Sequence, residues 1–113
     1  MPEITAADEL LRRIIRQPQF TTVNPDGTRR PTSAAFKLHR GEDGLSVDIL
    51  VLTTLSKAIN LATHTGAILP AQVPLALKCR CVHDPLPENN AHALILEVTP
   101  AVSKKLALSA QLL

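Results

Sequence analysis

The sequence contains no tryptophan or tyrosine and only two phenylalanines, Phe20 and Phe36. A hydrophobic core must therefore be built from aliphatic side chains, and hydrophobic residues make up 45% of the chain. The shortage of rings also leaves few surfaces on which the bases of single-stranded RNA or DNA could stack. A binding mode that depends on base stacking is therefore not expected.

Neither sign of charge dominates, because 12 basic residues stand against 10 acidic ones. A nucleic-acid-binding domain usually has a denser basic face, so the overall charge argues neither for nor against an anionic partner. The longest apolar run, near Ile49–Leu52, is far shorter than the roughly 20 residues that cross a membrane. No signal-peptide pattern stands at the amino terminus. We expect a cytoplasmic protein that makes no membrane contact.

Sequence motifs that fix an enzyme class are also missing. The chain has no phosphate-binding loop, dinucleotide fingerprint, nucleophile elbow or His-Glu-x-x-His pair. Several enzyme classes are thereby removed, although enzymes as such are not, and no cofactor is expected. Because half of 113 residues is too few to bury a core of its own, we expect a single domain over residues 1–113.

The hydrophobic pattern predicts a mixture of helices and strands. Near the amino terminus, apolar residues recur at helical spacing and predict an amphipathic helix over residues 5–17, with Arg12, Arg13 and Arg16 on its exposed face. The later elements expected are strands at 33–39 and 45–49 that form a β-hairpin, a helix at 53–65 ended by Gly66, strands at 75–83 and 92–98, and a helix that begins at Thr99 and Pro100. The order α-ββ-α-ββ-α predicts a two-layer α+β domain with a mostly antiparallel, four-stranded sheet.

Reactive side chains are concentrated between Cys79 and Ala93. On a strand over residues 75–83, Cys79, Cys81 and His83 would share one face, and a hairpin would set His92 across from His83. Thiols and imidazoles are ligands of tetrahedral zinc, but alternate strand residues stand roughly 6 to 7 Å apart, which is wide for one metal. A metal site of Cys79, Cys81, His83 and His92 is therefore a weak alternative to two reduced, buried thiols.

The two histidines also fit a catalytic hypothesis. His83 and His92 could act as a general acid and base while Arg80 stabilises an anion, as a metal-independent ribonuclease would require. The alternative, which carries more weight, is structural. A histidine in this turn could anchor it by donating a hydrogen bond to a carboxylate or to a backbone carbonyl.

A basic stretch provides a second candidate site. Arg29 and Arg30 stand among threonine and serine hydroxyls, which suit contacts with phosphate groups. Together with Lys37, His39 and Arg40 they would form an anion-binding surface. The alternative, which carries more weight, is an ordinary solvated loop.

Three stretches resemble a set of small uncharacterised bacterial proteins: Ser33–Lys37, Glu42–Val47 and Asp84–Ala93. In that set a Ser-Ala-Phe strand, a Gly-Leu-Ser-Val strand and an Asp-Pro-x-Pro-x-Asn-x-Ala-His-Ala turn recur in this order. The set has no established activity. The resemblance therefore implies only that His92 and the loop before it belong to a shared pattern, whereas Cys79, Cys81 and His83 do not.

Small size and the lack of a complete catalytic constellation favour a non-catalytic protein. We expect a protein-binding subunit or regulator of a bacterial multi-component system. The apolar tail with Leu108, Leu112 and Leu113 would either fold back on the core or fill a partner's groove, so the C-terminal helix is the expected contact. The alternative is an RNA-directed binder or a metal-independent ribonuclease that uses His83 and His92.

Overall fold

A six-stranded antiparallel sheet is the main element of residues 4–113, which are the residues that the computed structural model describes. The strands of these residues are β1 (Glu9–Ile15), β2 (Thr21–Val23), β3 (Arg29–Pro31), β4 (Gly44–Ile49), β5 (His64–Pro70), β6 (Cys81–His83), β7 (His92–Leu96) and β8 (Gln111–Leu112). The α-helices are α1 (Leu55–Ala58), α2 (Gln72–Ala76) and α3 (Pro100–Ser109). The large sheet has the order β6-β7-β4-β1-β5-β8, and β2 pairs only with β3. The predicted four-stranded sheet and the order α-ββ-α-ββ-α are therefore wrong.

The first element is a central strand, where the sequence predicted a helix over residues 5–17. Leu10 and Leu11 are both completely buried, although neighbouring residues of a strand point to opposite faces. β1 lies between β4 and β5 and is covered on both faces. Consecutive apolar pairs in such a strand imitate helical spacing, so periodicity alone could not distinguish the two structures.

Three other predicted elements are also corrected. Residues 33–36 form a turn of 3-10 helix, so no hairpin joins 33–39 to 45–49. The helix expected over 53–65 is only the single turn α1, and Gly66 lies inside β5. Gly66 is needed there for space, because an added Cβ would stand 2.6 Å from Ile59 Cδ1. The strand expected over 75–83 is confined to β6.

Three elements agree with the sequence prediction. The alternating residues 45–49 lie in β4, and residues 92–96 form β7. At the start of α3, Thr99 caps the helix by accepting a hydrogen bond from the Val102 amide at 3.3 Å. Strong local signals, namely strict alternation and a threonine followed by proline, led to these correct predictions. No helix of residues 4–113 is long and apolar enough to span a membrane.

The main core lies between one face of the sheet and α3. Phe36 and Leu106 are completely buried there, beside Leu10 and Leu69 from the sheet. The buried Ser103 hydroxyl donates to the Phe36 carbonyl at 2.8 Å and ties α3 to the 3-10 turn. The other face of the sheet is partly covered by the chain that follows β4, where Ile59 is buried close to Gly66.

β1 and β4 are paired over only part of their length. Leu10 is opposite Ile49 and Leu11 is opposite Asp48, and no further pair follows. β1 and β5, in contrast, are paired along all seven residues of each strand. The Arg12 guanidinium bridges the place where β1 and β4 separate, because its Nη1 donates to the Ser46 carbonyl at 2.8 Å. A polar side chain thus enters the gap in the backbone ladder.

Candidate functional site

The two histidines of the Cys79–Ala93 segment hold the turn between β6 and β7. His83 Nε2 donates to the Asn90 carbonyl at 2.7 Å, and His92 Nδ1 donates to the Asp84 carbonyl at 2.9 Å. His92 Nδ1 also lies 3.3 Å from Asp84 Oδ2. Each ring is therefore engaged by the backbone of the loop that it closes, as the structural alternative requires.

His83 and His92 do not face each other across the hairpin. His83 is opposite Ala93, and His92 is opposite Asp48 of β4. The prediction that His92 sits across from His83 is therefore wrong by one residue of register. Because a shift of one residue moves a side chain to the other face of a sheet, the two rings point to opposite faces.

Asp48 anchors the same turn from within the sheet. Its side chain is 2% exposed. Its Oδ1 accepts a hydrogen bond from Asn89 Nδ2 at 2.8 Å, and Oδ2 has no hydrogen-bond partner within residues 4–113. The nearest cation is Arg13, whose Nε stands 3.9 Å from Oδ2. Because Asn89 is the hydrogen-bond donor to the buried Asp48 carboxylate, the loop depends on Asn89.

The third predicted catalytic residue, Arg80, is engaged elsewhere. Its Nε donates to Glu97 Oε1 at 2.6 Å in an exposed ion pair. His83, His92 and Arg80 are thus each held by a different partner. Their catalytic role stays a prediction. Hydrogen bonds to the loop account for one nitrogen of each ring, whereas the buried Nδ1 of His83 has no hydrogen-bond partner within residues 4–113.

The two cysteines are free thiols, and Cys79 is buried whereas Cys81 is partly exposed. Burial raises the pKa of Cys81 to about 11, and the neighbouring Cys79 adds to the effect. Burial, with a smaller contribution from Glu97, also raises the pKa of Cys79. A raised pKa leaves a thiol protonated and weakly nucleophilic. Within residues 4–113, no three His, Cys, Asp or Glu side chains lie close enough together to hold a metal ion.

The predicted anion-binding residues fall into two places. Arg29 and Arg30 lie on β3, where Arg29 Nη2 donates to the Thr21 hydroxyl at 2.6 Å. They line an open depression of about 780 Å³ beside the end of α3. Lys37, His39 and Arg40 are exposed after the 3-10 turn and do not line that depression. The structure therefore gives no single cavity to the five residues.

A different cavity opens where β1 separates from β4. Its volume is about 280 Å³. The residues that line it come from both strands, from β5 and from the connections that pack on them, and they are Arg12, Arg13, Ile14, Ile15, Phe20, Ala34, Ala35, His39, Ser46 and His64. Two arginines and two imidazoles thus meet at one cavity, and its lining contains no carboxylate.

Arg12 is fixed at the wall of this cavity. Its Nε donates to the Ala35 carbonyl at 2.9 Å, in addition to the bond from Nη1 to Ser46. It forms no ion pair with any carboxylate of residues 4–113. Burial lowers the pKa of Arg12, Glu42 raises it, and Arg13 lowers it. The guanidinium therefore bears a positive charge that neutral carbonyls orient but do not neutralise.

Of residues 4–113, the two most exposed large apolar side chains lie in residues 50–61, which we call the apolar segment. Val51 is 79% exposed and Leu61 is 63% exposed, and Leu52 and Leu55 are also exposed. Lys57 is the only charged residue between Asp48 and His64. This combination of exposed aliphatic side chains and few charges is typical of the centre of a protein interface.

The apolar C-terminal tail folds back on the protein. β8 pairs with β5, and the Leu113 amide donates to the Gly66 carbonyl at 2.9 Å. The sequence left two outcomes open for this tail, folding back on the core or filling a partner's groove. The structure has the first. Leu108 of α3 stays exposed beside a groove of about 380 Å³ that Val73 and Leu77 also line.

No family model, no curated protein and no solved structure matches the chain. The resemblance to small bacterial proteins stays a prediction. The function of this protein is therefore argued from its own surfaces and cavities.

Sequence reasoning missed the cavity because Arg12 and Arg13 were assigned to the exposed face of a helix. One signal could have revealed it. If residues 9–15 are treated as a strand, Arg12 falls on the same face as Leu10 and Ile14, where a charged residue is unusual. His39 was expected in an anion-binding surface, but with Arg29 and Arg30 rather than with Arg12 and Arg13, and His64 gave no signal, since only the fold brings it to the arginines.

Proposed function

We propose that this protein is a non-catalytic subunit or regulator that binds a partner protein through the apolar segment, residues 50–61. The observation that carries the proposal is the exposure of four large aliphatic side chains within eleven residues, Val51, Leu52, Leu55 and Leu61. Single exposed apolar residues are ordinary, but four within one short segment are not. A partner with an apolar, weakly charged surface would remove this group from water.

The local backbone of the segment supports the same proposal. Apart from a 3-10 turn at Leu50–Leu52 and the single helical turn α1, it has no regular structure. Ile59 is its buried anchor. An irregular segment held at one point can adjust its side chains to a partner at small cost to the rest of the fold.

We also propose that the protein works in the cytoplasm. Both cysteines are free thiols, which suits a reducing compartment. The alternative of an RNA-directed ribonuclease receives less support, because hydrogen bonds to loop carbonyls occupy a nitrogen of each ring, His83 Nε2 and His92 Nδ1.

Site-specific crosslinking tests the proposed interface. A photoreactive amino acid replaces Leu61 in protein made at its native level in the source cells. We expect a discrete crosslinked product of higher mass that contains a second kind of protein. The matched control carries the same photoreactive residue at Val23, which is 55% exposed but lies on the β2–β3 hairpin.

The outcomes separate the possibilities. A product at position 61 that is missing at position 23 and is lost on Val51→Asp supports the proposal. Equal products at both positions, or none at position 61, contradict it. A product that contains only a second copy of this chain would replace the partner protein by a homodimer and would also contradict it.

A further inference from the structure

The cavity between β1 and β4 has an excess of positive charge. Arg12 and Arg13 provide two permanent charges, and His39 and His64 add two groups that become cationic on protonation. The nearest carboxylate with an ion-pair distance to either arginine is Asp48, at 3.9 Å from Arg13 Nε, and it lies outside the cavity lining. The lining would therefore attract an anion, and Glu42, which raises the pKa of Arg12 from outside the lining, opposes part of that attraction.

Arg12 in particular has an unbalanced charge. Removing a guanidinium from water is costly unless an opposite charge or several hydrogen bonds compensate it. The Ala35 and Ser46 carbonyls satisfy two of its donors, while no carboxylate of residues 4–113 pairs with it. A bound anion would supply the missing negative charge. The two carbonyls hold the planar group in one orientation before a ligand arrives.

The remaining walls suit an organic group. Phe20 contributes an aromatic ring, and Ile14 and Ile15, whose side chains point to opposite faces of β1, also line the cavity. A water molecule takes about 30 Å³ of liquid volume. The cavity volume of about 280 Å³ is several times larger and exceeds the volume that a lone phosphate ion would fill. It is just below the range for small-molecule sites, about 300 to 1,000 Å³.

We propose that this cavity binds a small organic phosphate. Arg12 and Arg13 leave β1 on opposite faces, but both line the gap beside β4, and there they contact the phosphate oxygens, because two guanidinium groups match a dianion better than they match one carboxylate. The organic part of the ligand packs against Phe20. This site is separate from the apolar segment, so it stands independently of the proposed partner protein.

Calorimetric titration with phenyl phosphate tests the assignment, with inorganic phosphate and phenol as the two partial probes. We expect phenyl phosphate to bind saturably and more tightly than inorganic phosphate, and phenol to show no saturable binding. Arg13→Gln removes one charge from the cavity and should weaken phenyl phosphate binding by about tenfold or more. His64→Gln provides a second variant if Arg13→Gln fails to fold, and we expect it to weaken binding as well.

Arg40→Gln is the matched control. Arg40 is exposed, follows His39 directly and does not line the cavity, so its loss removes the same charge from the nearby surface. We expect its affinity for phenyl phosphate to stay within about twofold of that of the wild type. An equal loss in Arg40→Gln and Arg13→Gln would show nonspecific surface attraction and overturn the proposal. Phenol binding as tight as phenyl phosphate binding would overturn it too, as would no saturable binding of phenyl phosphate.

Discussion

Replacing Asn89 by alanine should be among the most destabilising changes in a loop of this protein. The Asn89 side chain makes two hydrogen bonds that no neighbour can replace. Its Nδ2 donates to the buried Asp48 carboxylate at 2.8 Å, and its Oδ1 accepts from the Ala91 amide at 3.1 Å. Asn89→Ala removes both and leaves Asp48 without a hydrogen-bond donor among residues 4–113.

The expected loss can be summed from the two contacts. A hydrogen bond to a charged group contributes about 1.5 to 3 kcal/mol, and a neutral one about 0.5 to 1.5 kcal/mol. Asn89→Ala should therefore lower the free energy of unfolding by roughly 2 to 4 kcal/mol. For a domain of this size each kcal/mol corresponds to about 4 °C, so the midpoint of thermal unfolding should fall by roughly 8 to 16 °C.

Urea unfolding followed by circular dichroism measures this difference. Asn90→Ala is the control, because Asn90 is the same residue type in the same loop, is exposed, and makes no side-chain hydrogen bond within residues 4–113. Asn90→Ala should change stability by less than about 0.5 kcal/mol. If Asn89→Ala lost less than about 1 kcal/mol, or if the two variants behaved alike, the assigned anchoring role of Asn89 would be refuted.

Four further predictions concern three residues in other parts of the fold. The Cys81 thiol should react slowly with iodoacetamide at pH 8 and reach half its maximal rate near pH 11, and a normal rate at pH 8 would contradict the burial that raises its pKa. Since that pKa is raised from 9.0, the stability due to the protonated thiol should be complete below pH 9 and lost as the pH rises through about 11, which urea titrations of wild type and Cys81→Ala would compare. Thr99→Ala should cost about 1 kcal/mol because the N-cap of α3 is lost, whereas Thr99→Ser should keep most of it in the same urea assay. Ser103→Ala should cost about 1 to 3 kcal/mol by leaving the buried Phe36 carbonyl without its donor, and a thermal melt equal to that of wild type would exclude this contact.

The sequence predicted the elements whose residues carry a local signal. β4 alternates strictly, and α3 begins with a threonine cap followed by proline. The position of β1 could not be predicted in this way, because a strand covered on both faces has the same apolar pairs as an amphipathic helix. Gly66 misled the prediction for a related reason. Glycine ends many helices, but here it provides space for Ile59, which is a tertiary requirement.

In the candidate sites, too, features with a local sequence signal could be predicted and features that depend on the tertiary structure could not. Loop anchoring by His83 and His92 was anticipated, since histidine beside a turn commonly donates to a carbonyl. The relative orientation of the two rings was not anticipated, because the sequence does not show a shift of one residue in the register of β6 and β7. The cavity depends on where two central strands separate. The sequence of one strand does not indicate where its partner strand leaves it. Residues as distant as Arg12, His39 and His64 meet only in the folded chain.

The strand order of the large sheet has a consequence for how the chain folds during synthesis. β1 is made first among the six strands, yet its two neighbours are β4 and β5, and Leu10 pairs with both Ile49 and Leu69. On its other side β4 pairs with β7, which is synthesised later. Such long-range pairing slows folding and leaves apolar strand residues exposed in the nascent chain. Leu10 and Leu11 should therefore lie in a segment that chaperones recognise until the ribosome has released β7.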